Sequence, residues 1–563
     1  MTGGLLNIVS YGNQNIILNS NPKKSFFKTT YAKYTNFGMQ KFRIDFTGLR
    51  NLRMSEESRF TFTVPRYAEL LMDTYLVVTL PTIWSPIYPP IACDDVWHPY
   101  EFRWIENLGT QMIKEITFSV GGQILQRMTG KYLLAQVQRD LTGTKRFLYD
   151  TMSGSTAELN DPANFSGRKG TYPNVYYNTS QQGPEPSIRG RKLYIPINAW
   201  FCNNSRTAFP LVALQYNELQ IDVVMRPVRE LFVTRDVTYP ASTPAEVEQA
   251  PFIQPNFNEP EYQFYRFLQP PPGADITTAD RYDDKRTDWN ADVHLLSTYC
   301  FLSAEESRVF ASQEQKYLLK EAYEWDFKNI TGSHRVELQN TMGMVATWMF
   351  MFQRSDINLR NQWSNYTNWP YLNVIPDDVM PAPAAGDYPI RCPPPSPSNI
   401  GPGVEPDGTT LSKLFITQDY NVENQREILQ QLGILLNGSY RENMLEAGVY
   451  NYVEKYIRTA GSAPFGLYVY NFGMDASNIT YQPSGAINMS KFSTIELEFN
   501  TYPPPLDPSA NFYTICDPET GVPIGVNKPQ WRIYKYNYDL TVLEERYNVL
   551  TFIGGNCALM YAR

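Results

Sequence analysis

Apolar and polar residues alternate along this chain in short runs divided by turn-forming clusters. Phe60, Phe62 and Val64 are interleaved with Thr61 and Thr63, the period-two pattern of a strand with one buried face. Comparable strand-like runs fall at 42–46, 75–80, 192–197 and 219–225, and again at 293–301, 323–327, 336–338, 344–352, 467–472, 495–499, 533–540 and 549–553. Two places carry a stronger signal. Residues 116–120 lead into Gly121-Gly122 and then 123–125, and residues 433–436 lead into Asn437-Gly438 and then 439–441. Both pairs supply the positive φ that a two-residue hairpin turn requires. Each hairpin is followed by a helical stripe: Leu133, Leu134, Val137 and Leu141 after the first, Leu445, Val449, Val453 and Ile457 after the second. Ser303 followed by Glu306 predicts a capped helix running to about Ala311.

The same cues thus recur in the same order. Many short strands, turn-rich connections and a doubled order predict an all-β fold of two consecutive eight-stranded jelly-roll sandwiches, with short helices and long loop insertions. The expected organisation is an N-terminal arm over 1–24, a first jelly roll over 25–235, a Pro-rich linker over 236–290 and a second jelly roll over 291–563. Pro240, Pro244, Pro251, Pro255, Pro260 and Pro270 to Pro272 mark the linker, because proline resists both helix and central strand. A second Pro-rich excursion covers 370–408. In an antiparallel sandwich successive connections alternate between the two ends. If both hairpins lie at one end, the long insertions at 81–110, 129–190, 354–415 and 442–465 project from the other.

Composition narrows the function. Over 563 residues the chain is 42% hydrophobic, 14% aromatic and 19% charged, a globular balance with 39 Tyr. A net charge of −8 argues against a protein that coats nucleic acid, which needs a basic footprint, so no direct nucleic-acid partner is expected. The six cysteines, Cys93, Cys202, Cys300, Cys392, Cys516 and Cys557, form no C-x-x-C pair and read as free thiols of a reducing compartment. The start of the chain lacks a basic segment followed by a long apolar run, and the nearly apolar stretch 342–352 is too short for a membrane helix. A soluble, cytosolic product is expected.

The order of motifs resembles the major capsid proteins of the nucleocytoplasmic large DNA viruses, which are double jelly rolls. The residues carrying it begin with Phe26-Phe27-Lys28, Tyr31 and Tyr34-Thr35-Asn36-Phe37. Asn107-Leu108-Gly109 with Ile113, Ile116 and Gly121-Gly122-Gln123 follow, then Leu214 to Leu219. The second half adds Phe301 to Phe310 with Lys316 to Leu319, Gln482 to Ser490, and Tyr547 to Leu550 with Gly554-Gly555 and Tyr561. The resemblance implies a structural protein, not an enzyme. It implies a homotrimer forming a pseudo-hexagonal capsomer, neighbouring capsomers tiling an icosahedral shell, minor capsid proteins and an internal viral membrane beneath, and host surface glycans as candidate partners. Location in the virion after synthesis in host cytoplasm is implied as well. The alternatives are a minor or vertex capsid protein of the same fold, or a β-sandwich carbohydrate-binding protein.

No catalytic, cofactor-binding or metal residues are expected. His98, His294 and His334 are scattered, where a metal needs three or four convergent ligands. Asp94-Asp95 and Asp283-Asp284 read as solvated loop charges, and no G-x-S-x-G elbow or phosphate-binding glycine loop occurs. Asn-x-Ser/Thr sequons begin at Asn164, Asn178, Asn203, Asn329, Asn365, Asn437, Asn478 and Asn488. Asn437 reads as a turn residue and Asn488 as part of a barrel motif. Asn164, Asn178, Asn203 and Asn365 are the candidate glycosylation sites. Trp363, Tyr366 and Trp369 read as interface packing between copies, with a sugar platform as the alternative.

Overall fold

A computed structural model describes residues 20–88, 96–175, 185–240, 250–272, 281–339, 341–376, 425–478, 482–504 and 534–561, residues 12–14, 17 and 247, and the backbone of Tyr513–Cys516 and Pro523–Asn527. Sixteen main strands build two sandwiches. The first comprises β1 (Phe37–Asp45), β2 (Ser58–Thr63), β3 (Leu70–Thr79), β4 (Ile113–Val120), β5 (Gln123–Thr129), β6 (Lys192–Pro196), β7 (Leu219–Met225) and β8 (His294–Leu302). The second comprises β9 (Gln315–Ile330), β10 (Ser333–Glu337), β11 (Met344–Arg354), β12 (Leu429–Leu436), β13 (Ser439–Glu446), β14 (Leu467–Asn471), β15 (Ile495–Thr501) and β16 (Tyr538–Ile553).

The first sandwich pairs its strands β1-β8-β3-β6 and β2-β7-β4-β5. The second pairs them β9-β16-β11-β14 and β10-β15-β12-β13. Adding eight to every label of the first gives the second, so the two are the same jelly roll built twice. Alternation explains why these segments are strands. Phe60 and Phe62 are buried while Thr61 and Thr63 face solvent. Fully burying a side chain of this size is worth about 1.5–3 kcal/mol.

The hairpins are as expected. Val120 pairs with Gln123, and Gly121 and Gly122 have φ of 58° and 82°. Leu436 pairs with Ser439, and Asn437 and Gly438 have φ of 50° and 76°. Ser303 caps α3 (Ala304–Ser312) by accepting from the Glu306 amide at 3.4 Å.

One boundary is corrected. The strand at 294–302 was expected to open the second jelly roll, but it closes the first. It runs antiparallel to β1, from Phe37 against Leu302 to Asp45 against His294, and its other edge pairs with β3. Residues 236–290 therefore lie within the first barrel's β7–β8 connection rather than between domains. The link between barrels is α3 and the two residues after it. The second helical stripe is also corrected. Leu445 belongs to β13, a π-helical turn spans Val449–Val453, and Val453 and Ile457 of α4 (Glu454–Arg458) and its approach are exposed. The first stripe holds for three of its four residues: α1 (Gly130–Asp140) buries Leu133, Leu134 and Val137, while Leu141 caps its end half-buried.

Registers fix the two ends. In the first barrel the 121–122 turn lies beside Leu219, and Val64 donates to the Leu219 carbonyl at 2.9 Å. At the opposite end, Asp45 faces His294, Thr79 faces Lys192, and Met225 faces Ile113. The connections 80–112, 130–191 and 226–293 all leave from that end. In the second barrel Arg354 faces Tyr538, Leu429 faces Thr501 and Leu467 faces Met351, which places connections 355–428, 447–466 and 502–537 together. The 437–438 turn lies at the other end, where the Asn437 Oδ1 accepts from the Ser493 and Thr494 amides.

Candidate functional site

For a scaffold the working parts are the seam that fixes its halves and the surfaces left for neighbours. The barrels lie side by side with hairpin ends together. Gln126 donates to the Lys320 carbonyl at 3.2 Å, Thr129 to Glu324 at 2.6 Å and Lys131 to Asp326 at 3.3 Å, so β5 and the start of α1 advance along β9 in the same direction. At the hairpin end the Gln215 amide donates to the Gly555 carbonyl at 2.9 Å. Apolar contact continues across the seam: Trp200 meets Tyr317 and Phe209 meets Phe552, each pair 5.2 Å between ring centres.

At the centre of this seam sits a fully buried ionic cluster. The Arg139 guanidinium donates to both carboxylate oxygens of Asp140, at 2.7 and 2.9 Å, and to Glu545 of β16 at 2.8 Å. The Tyr132 hydroxyl donates to the other Glu545 oxygen at 2.9 Å, and the Asn478 side-chain amide donates to Tyr132 and Glu545. Lys320 donates to the Ala476 and Ser477 carbonyls at 3.1 Å. Burial disfavours the Glu545 carboxylate, yet Arg139 and Lys320 hold it below the usual carboxylate range. Burial pulls Lys320 below the usual lysine range. Successive residues of β16 point to opposite faces. Glu545 therefore enters the seam, while Glu544 turns to the Trp348 indole, which donates to it at 2.7 Å inside the second barrel. Burial raises the Glu544 carboxyl. Breaking such a buried pair on one side costs about 3–5 kcal/mol, so the cluster fixes register between the barrels.

The insertion end is stitched as well. Asn361, at φ 51°, donates to the Arg229 and Phe232 carbonyls, both at 2.8 Å. The Trp363 indole donates to the Glu230 carbonyl at 2.9 Å, and Arg226 stacks over its ring at 4.5 Å. Tyr366 is buried, and Arg426 lies 5.3 Å above Trp369. Within the chain Tyr366 is buried and Trp363 and Trp369 are half-buried, so the three rings do not form an open sugar platform. The second barrel's excursion crosses onto the first, so rings that read as a surface motif end as its filling.

The candidate glycosylation residues part company. Asn164 is exposed in the first barrel's insertion, donating to Asp161 at 2.8 Å. Asn203 is half-buried beside Trp200 and Lys320. Asn365 is 1% exposed, and its amide donates to the Trp369 carbonyl at 2.8 Å while its oxygen accepts from Thr367. A folded chain cannot offer it to a transferase, so that expectation is corrected. Asn178 lies outside the described residues.

His98 lies by Tyr88, His294 is buried with Nδ1 2.6 Å from the Asp292 carbonyl oxygen, and His334 stands on exposed β10. Among the described residues no group of three or more His, Cys, Asp or Glu side chains is placed to hold a metal. A cleft of about 820 Å³ lies along the seam, but its cations are matched: Lys114 with Glu57, Arg127 with Glu115, Lys131 with Asp326, Arg226 with Glu230 and Lys328 with Asp539. Sequence reasoning missed Arg139, Asp140 and Glu545. The available signal was the run Glu544-Glu545-Arg546 within a mostly apolar, buried strand, where a charge without a partner would be prohibitive.

Three groups stand out among the uncovered apolar side chains of the described residues. Phe147 and Leu148 stand out from α2 (Gly143–Ser153), at 71% and 50% exposure, in the first barrel's insertion. Tyr452, Val453, Tyr456 and Ile457 stand out from the corresponding place in the second. Phe26, Phe27, Tyr31 and Tyr34 line the segment entering β1 at the hairpin end.

Comparison with known proteins agrees with this architecture. A family described as major capsid protein N-terminus matches residues 25–258, and one described as large eukaryotic DNA virus major capsid protein matches 306–558. A major capsid protein of Chrysochromulina ericina virus is 29% identical over 57% of this chain and 52% of its own length. One of Phaeocystis pouchetii virus is 32% identical over 41% of this chain and 42% of its own. The matched region thus spans about half the length of these relatives. The Faustovirus major capsid protein structure superposes with a TM-score of 0.59 at 13% identity, covering 94% of this chain and 93% of that one. A quasi-atomic model of the PBCV-1 virus capsid gives 0.57 at 17% identity, covering 96% and 100%; both likenesses speak to the fold. Two barrels of identical pairing, each matched by its own half of one family, lead to one conclusion: the chain belongs to the major capsid proteins of the nucleocytoplasmic large DNA viruses.

Proposed function

We propose that this chain is a shell-building subunit that closes as a homotrimer, giving a pseudo-hexagonal capsomer that tiles an icosahedral viral capsid. The carrying observation is the duplication itself: two barrels with identical strand order, fixed side by side with their hairpin ends together. Three such pairs around a threefold axis present six similar barrels, the outline that packs into a hexagonal sheet. Head-to-tail contacts close such a ring. The exposed apolar patches on α2 and on the Tyr452–Ile457 turn are surfaces for a neighbouring copy to cover. In this reading the insertion end faces outward, with Asn164 as the glycan acceptor it best presents and Asn203 second. The hairpin end faces inward toward minor capsid proteins and membrane, and the protein is made in host cytoplasm before entering the virion.

Light scattering on the purified chain tests this. The expected mass is three times 64.8 kDa. Persistence of monomer at micromolar concentration, or a pentamer, rejects the reading.

A further inference from the structure

The segment leading into the first strand has an unusual charge. No acidic residue occurs before Asp45, while Lys23, Lys24, Lys28, Lys33, Lys41 and Arg43 do. The first 44 residues therefore carry +6, and the remaining chain, from a total of −8, carries −14. Interleaved with the first four lysines are Phe26, Phe27, Tyr31 and Tyr34, which are 103%, 99%, 83% and 86% exposed. The lysines are exposed too, and none joins an ion pair among the described residues. Residues 20–36 form no helix or strand. Position adds a further observation. Phe37 pairs with Leu302 at the hairpin end, so the segment leaves the molecule opposite all six long connections. At that end the turns 121–122, 437–438 and 554–555 bear no charged residues, while Glu69 and Glu305 lie beside the point where the segment joins β1.

We infer that residues 23–34 are an interfacial anchor for an anionic lipid surface. Lysines near such a surface each contribute through its negative potential, and aromatic rings between them settle at the headgroup boundary, where an apolar body and a wet rim are both satisfied. The acidic remainder is repelled by the same surface, so only the hairpin end is brought up to it, and the charge asymmetry orients the molecule as well as holding it. A protein partner with an acidic groove would use the lysines but has less need of four unshielded rings on an irregular backbone. One segment binds weakly. Three on one trimer bind by avidity, and there the inference rests on the trimer reading.

Co-sedimentation of the full chain with vesicles of phosphatidylcholine alone, or with about 30% phosphatidylserine, tests it, with mass measured on the same sample. Binding is expected to the anionic vesicles only. It should fall about fivefold for each of Lys23, Lys24, Lys28 and Lys33 changed to Gln, and roughly tenfold or more for Phe26→Ser with Phe27→Ser. Raising salt from 50 to 500 mM should release it. These side chains are exposed, so the variants fold. No binding by an intact trimer, equal binding to neutral vesicles, or indifference to the lysine changes overturns the inference. So does a chain that ignores vesicles yet is retained on polyglutamate, which would assign the segment to an acidic protein. A monomer that binds anionic vesicles sinks the trimer reading and leaves the anchor standing.

Discussion

The two barrels share the pairing of all eight main strands and almost nothing in their connections. Between β3 and β4 the first barrel places residues 80–112, and between β11 and β12 the second places 355–428. After the hairpin the first barrel builds two eleven-residue helices, α1 and α2, where the second has one π-helical turn and five α-helical residues. The lattice of strands is set by backbone pairing and by which face is apolar, conditions many sequences meet. The connections carry what is particular to each barrel, and their differences are used. The helix after the first hairpin carries Arg139 into the seam, while the helical turn after the second leaves Tyr456 and Ile457 exposed.

This contrast predicts that the unduplicated parts are the most sensitive. Arg139→Ala strands Glu545 in the seam and should lower stability by about 3–5 kcal/mol in chemical denaturation. Arg139→Met with Glu545→Leu should recover most of that loss. Equal losses in the single and double variants would show that the cluster is not a coupled unit.

A smaller effect is expected at the foot of the second barrel's excursion. Burial opposes ionisation of Asp356, but Arg354 and Arg360 overcome it and hold the carboxyl at about 2, from an ordinary 3.8. The folded value is depressed, so the stabilisation is present above about 4 and is lost as pH falls through 2. It amounts to roughly 2 kcal/mol. Asp356→Asn should therefore be less stable than the parent at pH 6 and indistinguishable from it near pH 2 in urea titrations. A constant offset at both pH values would refute the ion-pair account.

The smallest effects belong to the duplicated hairpins and should be alike. Gly121→Ala places a side chain at φ 58°, and Asn437→Ala removes a residue suited to φ 50° along with its side-chain acceptor. Each should cost about 1–2 kcal/mol. A much larger loss at one turn would mean that the two ends are not equivalent.

Much of this architecture is legible locally. Gly-Gly and Asn-Gly name their turns, Phe60 to Val64 name their faces, and Ser303 with Glu306 names its cap. What escaped is long-range. Alternation at 293–301 reveals a strand but not its partner, and β8 is adjacent in sequence to the barrel it does not join. The same limit hid the seam. Arg139 and Glu545 are separated by 406 positions, and each alone reads as a misplaced charge. Trp363 looked like a surface ring because no local rule records that it packs against the other barrel's loop.

The late arrival of β8 has a consequence for synthesis. Until residue 302 has left the ribosome, β1 and β3 have nothing to fill the space between them, and the first barrel waits with two unpaired edges. Residues 226–293 must be made in the interval. At about 5–20 residues per second that is roughly 3–14 s. Open strand edges are templates for pairing with other chains, and a shell protein is made in many copies at once. The nascent chain is thus most exposed to wrong partners while its own closing strand is still being translated.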